Sequence, residues 1–124
     1  MKTVIFTENA PKAIGPYSQA IEINDILFSS GQIAINPKTA NIEAQTIEEQ
    51  THQVCQNLKA VLESRNLTFD NVVKTTCFLA DMNDFAKFNS VYAEYFTSCP
   101  ARSCVAAKAL PKNALVEIEV IAVR

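Results

Sequence analysis

Two charged residues near the end of the chain offer the clearest chemistry. Arg102 follows Pro100-Ala101 at the head of a short apolar run, and Glu117 lies between Val116 and Ile118 in the last one. A guanidinium offers a carboxylate two parallel charged hydrogen bonds, so Arg102 is a candidate anchor for a small acid, although it could equally form an ordinary surface ion pair. A carboxylate in a strand of apolar residues is solvated, paired, or kept beside a site where it handles protons. Alternation places Glu117 and Glu119 on one face. A hairpin between the two runs would bring Glu117 near Cys104, whose thiol is a possible nucleophile. The only histidine, His52, belongs to a much earlier helical segment. A Cys–His pair therefore has weak support, and activation of water by Glu117 is the more economical chemistry.

Two loops could line such a site: Gly15-Pro16-Tyr17-Ser18 and Ser29-Ser30-Gly31-Gln32. Gly31 would let the main chain approach a ligand, but simple turn geometry explains both loops as well. With 2 glycines in 124 residues, nothing forms a phosphate-binding loop or a nucleotide fingerprint. Cys55, Cys77, Cys99 and Cys104 contain no Cys-x-x-Cys pair. With one histidine they make too thin a set for structural zinc, and Cys55 and Cys77 read as small buried side chains. Net charge is −2 with no basic run, which argues against nonspecific nucleic-acid binding. No apolar stretch approaches a membrane span, and the segment from Met1 to Phe6 is too short for a secretory signal, so the cytoplasm is the expected compartment.

The elements that must position these residues follow from periodicity. Strands are expected over Lys2 to Phe6, Gln19 to Ile23 and Ile26 to Ser30, the last two joined by Asn24-Asp25, with Ile33 to Ile35 extending the third. Thr46 and Glu49 form a capping-box pattern ahead of Ile47, Val54, Leu58, Val61 and Leu62, a helical stripe running to about Asn66. Val72 to Leu79 alternates, with Val73, Thr75, Cys77 and Leu79 on one face. A shorter helix runs from about Asp84 to Phe96 and packs through Phe85, Phe88, Val91, Tyr92 and Tyr95. Strands from Arg102 to Ala107 and Leu115 to Val123 close the chain. The order β-β-β-α-β-α-β-β fits one α+β domain over residues 1–124, a single mixed sheet with both helices on one face. Its other face would still carry Ile, Val and Leu, so self-association is expected. Apolar residues at 48% against 19% charged agree with a surface partly hidden by a partner.

The whole chain resembles the Rid family of reactive-intermediate deaminases, also called the YjgF/YER057c/UK114 family. The matching pieces include Ile14-Gly15-Pro16-Tyr17-Ser18, Ser30-Gly31-Gln32-Ile33, Asn36-Pro37-Lys38-Thr39 and Asp81-Met82-Asn83-Asp84-Phe85. Pro100-Ala101-Arg102-Ser103-Cys104-Val105 and the last strand complete the set. The resemblance implies the YjgF/chorismate-mutase-like fold and a homotrimer with clefts at its subunit boundaries. It also implies hydrolysis of 2-imino acids or their enamine tautomers to 2-keto acids and ammonia, without metal or organic cofactor. Such imines arise when pyridoxal-phosphate enzymes dehydrate serine or threonine, and they damage enzymes of that kind.

Residue by residue, the resemblance makes Arg102 the binder of the substrate carboxylate and Glu117 the acid that activates water. Cys104 supplies a main-chain carbonyl near that water rather than a thiol. Tyr17 closes the cleft, Ser30 and Gly31 line it, and Phe88 and Asn89 stand near its wall. Two departures are visible. Ala40-Asn41 replaces a turn that often holds glycine, with Asn41 the residue able to take a left-handed backbone, and Thr97-Ser98-Cys99 makes a short connection that bears on substrate preference. The competing readings are a related hydrolase acting on aminoacrylate-like or carbamate-bearing compounds, and a nonenzymatic ligand sensor or protein-binding module. RNA cleavage, also attributed to proteins of this resemblance, has little support without a basic stripe or paired histidines.

Overall fold

A computed structural model describes residues 1–124. One six-stranded sheet organises the chain in the order β1-β2-β3-β8-β6-β7. Its strands are β1 (Thr3–Ile5), β2 (Ala20–Ile23), β3 (Ile26–Ser29), β6 (Val72–Leu79), β7 (Ala101–Ala106) and β8 (Val116–Val123). A two-stranded ribbon, β4 (Ile35–Asn36) with β5 (Asn41–Ile42), stands apart. Only β6 and β7 are parallel, joined through helix α2 (Phe85–Tyr95), as parallel neighbours require a crossover. Helix α1 (Ile47–Glu63) packs beside α2 on the same face.

Local sequence explains where these elements begin. Thr46 Oγ1 accepts from the Glu49 N–H at 3.1 Å while the Glu49 carboxylate accepts from the Thr46 N–H at 3.3 Å, closing the expected capping box. Asn24 and Asp25 both adopt positive φ (50° and 64°), which gives the two-residue turn the twist that its flanking strands need. Val116, Ile118, Val120 and Ala122 turn inward against Leu58, Val61 and Leu27.

Three expectations change. The stretch from Ile33 to Ile35 does not prolong β3: only Gln32 bridges to β8, and Ile35 leaves for the ribbon. In β6 a bulge between Val72 and Lys74 shifts the register, so Val72 turns inward and Val73 faces solvent, the reverse of strict alternation. At the ribbon turn the left-handed residue is Ala40 (φ 62°), whereas Asn41 is extended within β5.

The sheet face away from the helices is apolar along much of its width. Val4, Ile21, Phe28 and Ile121 stand in register on four successive strands, with Phe78 and Val105 beside Glu117. Val4, Phe28, Val105 and Val123 are exposed. No helix is long and apolar enough to cross a membrane.

Candidate functional site

Glu117 projects from β8 on this open face, opposite Phe78. The segment beside it leaves the sheet in a defined way. Phe28 still pairs with Ile121, and the Val120 N–H donates to Ser29 Oγ at 2.9 Å. Gln32 then exchanges both main-chain bonds with Ile118, at 2.8 and 3.1 Å. Residues 29 to 32 thus span the same ladder length as 120 to 118, and the extra residue bulges Ser30 and Gly31 out of the pairing. A methyl group on Gly31 would overlap Glu117 Oε2 and lie 2.7 Å from Glu117 Cδ. The missing side chain at Gly31 is the room in which the carboxylate sits.

A cleft of about 570 Å³ opens around this carboxylate. Tyr17, Gln19, Ser30, Gly31, Lys12 and Lys112 line it, together with Ile14, Ile33 and Ile35. From beneath, the Asn57 amide donates to the carbonyls of Ile33 (3.1 Å) and Ile35 (2.9 Å) and holds that wall to α1. Glu117 is half-buried and receives no hydrogen bond from the chain. Burial pushes its carboxyl above the ordinary carboxylate range, and neighbouring Glu119 pushes it further. A carboxylate so placed readily takes a proton from water and can return it.

Arg102 lies elsewhere. It is in register with Thr75 on the edge strand β7, which places it on the helix-covered face. Its Nη1 donates to Asn89 Oδ1 at 2.7 Å, and its guanidinium carbon lies 4.8 Å from the Tyr92 ring centroid and 5.4 Å from that of Phe85. Tyr92 is held in turn by a 2.8 Å hydrogen bond to Thr75. Stacking and the Asn89 bond orient the guanidinium and leave other N–H groups free in a groove lined by Ala93, Thr97 and Pro100. Cys104 follows on the same face of β7, half-buried. Desolvation raises its thiol above the usual range despite nearby Arg102, so it is a poor nucleophile. As an edge strand, β7 leaves main-chain groups on its outer side without partners inside the chain.

The structure corrects three expectations about the site. Phe88 is 0% exposed, packed against Tyr92 within the core, so it cannot touch a ligand at a cleft wall. Its helical neighbour Asn89 does reach a groove. Strands β7 and β8 form no hairpin, because β6 lies between them, and Glu117 is separated from Cys104 and Arg102 by that strand and by the thickness of the sheet. His52 is occupied on α1, with its Nδ1 2.9 Å from Tyr95 Oη. The thiols of Cys55 and Cys77 are buried, Cys77 being pushed up to about 12 by desolvation. No group of three or more His, Cys, Asp or Glu side chains gathers as metal ligands would. Residues not anticipated are Phe85 and Tyr92, which carry the guanidinium, and Gln19, Lys12 and Lys112 in the cleft. Gln19 was readable only as a polar residue opening an apolar strand.

A family model described as Endoribonuclease L-PSP matches residues 7–124. A RutC family protein of Pyrococcus horikoshii is 58% identical over 123 residues, covering 98% of both chains. A solved structure from Yersinia pestis, described as a protein of unknown function of the conserved Rid protein family, superposes with a TM-score of 0.97 at 54% identity, covering 100% of each chain. The chain belongs to the Rid family. Another Rid relative, the 2-iminobutanoate/2-iminopropanoate deaminase of Escherichia coli, is 46% identical over 128 residues, covering 100% of this chain and 99% of its own. The Rid fold accounts for the single mixed sheet with both helices on one face, and these relatives match it end to end.

Proposed function

We propose that this protein hydrolyses small 2-imino acids to 2-keto acids and ammonia, with residues 1–124 acting as one domain in the cytoplasm. The carrying observation is Glu117: a half-buried carboxylate with no donor of its own, in a cleft, held against a glycine. The deaminase relative of Escherichia coli gives the reaction class. Arg102 pairs with the substrate carboxylate. Glu117 takes a proton from water as its oxygen attacks the imine carbon, and the carbon–nitrogen double bond becomes a single bond. The proton passes to the nitrogen, Glu117 takes the remaining hydroxyl proton as the carbon–nitrogen bond breaks, and ammonia leaves with the keto oxygen left on carbon. A protonated imine is already electrophilic, so orientation supplies much of the rate. Tyr17, Ser30 and Gly31 wall the cleft, Asn89 steadies Arg102, and the edge-strand carbonyl of Cys104 faces the water. None of these steps calls on a metal or organic cofactor.

One small molecule cannot touch Arg102 and Glu117 of the same chain, because they occupy opposite faces of one sheet. The complete site is therefore composite. The β7 edge of one protomer docks on the open face of its neighbour, in a closed ring that the family resemblance sets at three. The exposed Val4, Phe28, Val105 and Val123 supply apolar surface for such a contact.

The test uses 2-imino acid generated by a threonine dehydratase and followed by semicarbazide trapping. Wild type accelerates its loss, while R102A and E117Q do not. Unfolding the two inactive variants together and refolding them restores roughly a quarter of the sites by random assortment in a cyclic assembly. No recovery in mixed oligomers overturns the composite site, and equal decay with and without wild type overturns the activity. The family model's description favours one second reading, RNA cleavage. Salt-dependent RNA binding by E117A, with no effect of wild type on imine decay, would revive the nucleic-acid reading.

A further inference from the structure

Gln19 is 2% exposed, yet it lines the cleft around Glu117. Its amide is spent on one stretch of main chain. Oε1 accepts from the Thr7 N–H at 2.7 Å. Nε2 lies 2.8 Å from the Pro11 carbonyl, 3.0 Å from that of Thr7 and 3.4 Å from that of Ala10. The next clamp is immediately adjacent: Ser30 Oγ donates to the Ser18 carbonyl at 2.6 Å, and the Ser30 N–H donates to the Gln19 carbonyl at 2.9 Å. Between these clamps, the bonds recorded for Lys12 to Tyr17 are local: the Tyr17 N–H to the Gly15 carbonyl at 2.9 Å, and the Ile14 N–H to Tyr17 Oη at 3.4 Å. The Tyr17 wall is thus a loop whose base is closed by one buried side chain. Its far clamp leads directly into the Ser30–Gly31 bulge against Glu117.

We propose that Gln19 is a positioning residue for the deamination site, closing the base of the Pro11–Ser18 loop so that Tyr17 stands over the cleft. Gln19 touches no reacting atom in this account. It acts through the loop, and the inference rests on the reaction proposed above. A glutamine suits the task because one planar amide offers an acceptor to Thr7 and donors to carbonyls on either side of Pro11. Methionine has similar length and neither function, and it leaves the main-chain groups of Thr7 and Pro11 unpartnered.

The experiment measures kcat and KM of Gln19→Met and Gln19→Glu in the imine assay at 25 °C, beside wild type and E117Q, with Tm recorded for each. Loosening the loop raises KM about tenfold while kcat stays within about threefold, because the cleft wall is lost and the water-activating carboxylate remains. E117Q shows the opposite split, a fall in kcat with KM little changed. A purely structural Gln19 lowers Tm and leaves both constants of the folded protein at wild-type values, which overturns the proposal. If neither of these variants folds, Gln19→Asn decides the matter by keeping the amide and shortening its reach to Thr7 and Pro11: the same rise in KM supports the loop's role, and wild-type constants overturn it. Should wild type and E117Q both match the protein-free rate, the reaction itself has failed, an outcome distinct from a normal Gln19 variant beside an inactive E117Q.

Discussion

Two glutamates of the same sheet receive opposite treatment. Glu22 on β2 is buried beneath the guanidinium groups of Arg65 (2.8 Å to Nε) and Arg124 (3.2 Å to Nε and Nη2). Hydrogen bonds from Arg124, then from Arg65, hold its carboxyl below the ordinary range. Arg124 also donates to the Arg65 carbonyl at 2.8 Å, so one carboxylate ties β2, the segment after α1 and residue 124 together. Glu117 is half-buried without a donor, and burial with Glu119 nearby raises it. Burial alone disfavours the charge of a carboxylate, and donors restore it. Where donors are supplied the group becomes architecture; where they are withheld its protonation stays available for chemistry, at a cost in stability that functional sites commonly carry.

The contrast breaks most visibly at Glu117→Gln. Loss of the proposed water-activating group lowers kcat by about a hundredfold or more, while Tm at neutral pH holds or rises because a desolvated charge has been removed. A variant that loses activity together with Tm would put Glu117 in the same class as Glu22. Next in size is Gly31→Ala, whose methyl group must displace the Glu117 carboxylate. A fall in kcat of about tenfold to a hundredfold with intact secondary structure by circular dichroism is expected. Glu22→Gln lowers stability by about 1–2 kcal/mol in urea titration, limited by screening because both arginines keep contact with water, and leaves the folded protein active. Thermal scans against pH separate the two signs. The Glu22 contribution is present at neutral pH and is lost as pH falls through its lowered value. That of Glu117 is complete in acid and is lost as pH rises through its raised value, so the advantage of E117Q vanishes on acidification. The smallest effect concerns neither carboxylate: Ala40→Gly relieves a left-handed backbone and adds about 1 kcal/mol of stability, with kinetics unchanged.

Features set by neighbours in sequence were legible without coordinates. The Thr46–Glu49 cap, the Asn24-Asp25 turn, the α1 stripe and the inward face of β8 each depend on a few adjacent residues. Strand order depends on pairings between distant segments, which is why β6 intruding between β8 and β7 was invisible and Cys104 was placed beside Glu117. The bulges at Val72–Lys74 and Ser30–Gly31 insert a residue without any composition signal, yet they decide which side chains face the core and where Gly31 meets Glu117. In the candidate site, residue chemistry picked out Arg102 and Glu117 and offered the loops that hold Tyr17, Ser30 and Gly31, while the resemblance gave those loop residues their roles and added Asn89. Phe88 shows the limit of the resemblance: the aromatic stripe puts it on the packing side of its helix, and one position before Asn89 it does face the core instead of the groove. Gln19 escaped notice because its partners are main-chain atoms, which carry no residue identity.

The opposite-face placement of Arg102 and Glu117 has a consequence for how the protein behaves at low abundance. Each chain would hold the acid-binding half of one site and the water-activating half of another, so solitary protomers would have no residual turnover. Specific activity would then fall more steeply than enzyme concentration once the solution is dilute enough for rings to open, with a lag on reconcentration set by reassembly. Protein level would act as a threshold on whether reactive imines are cleared at all.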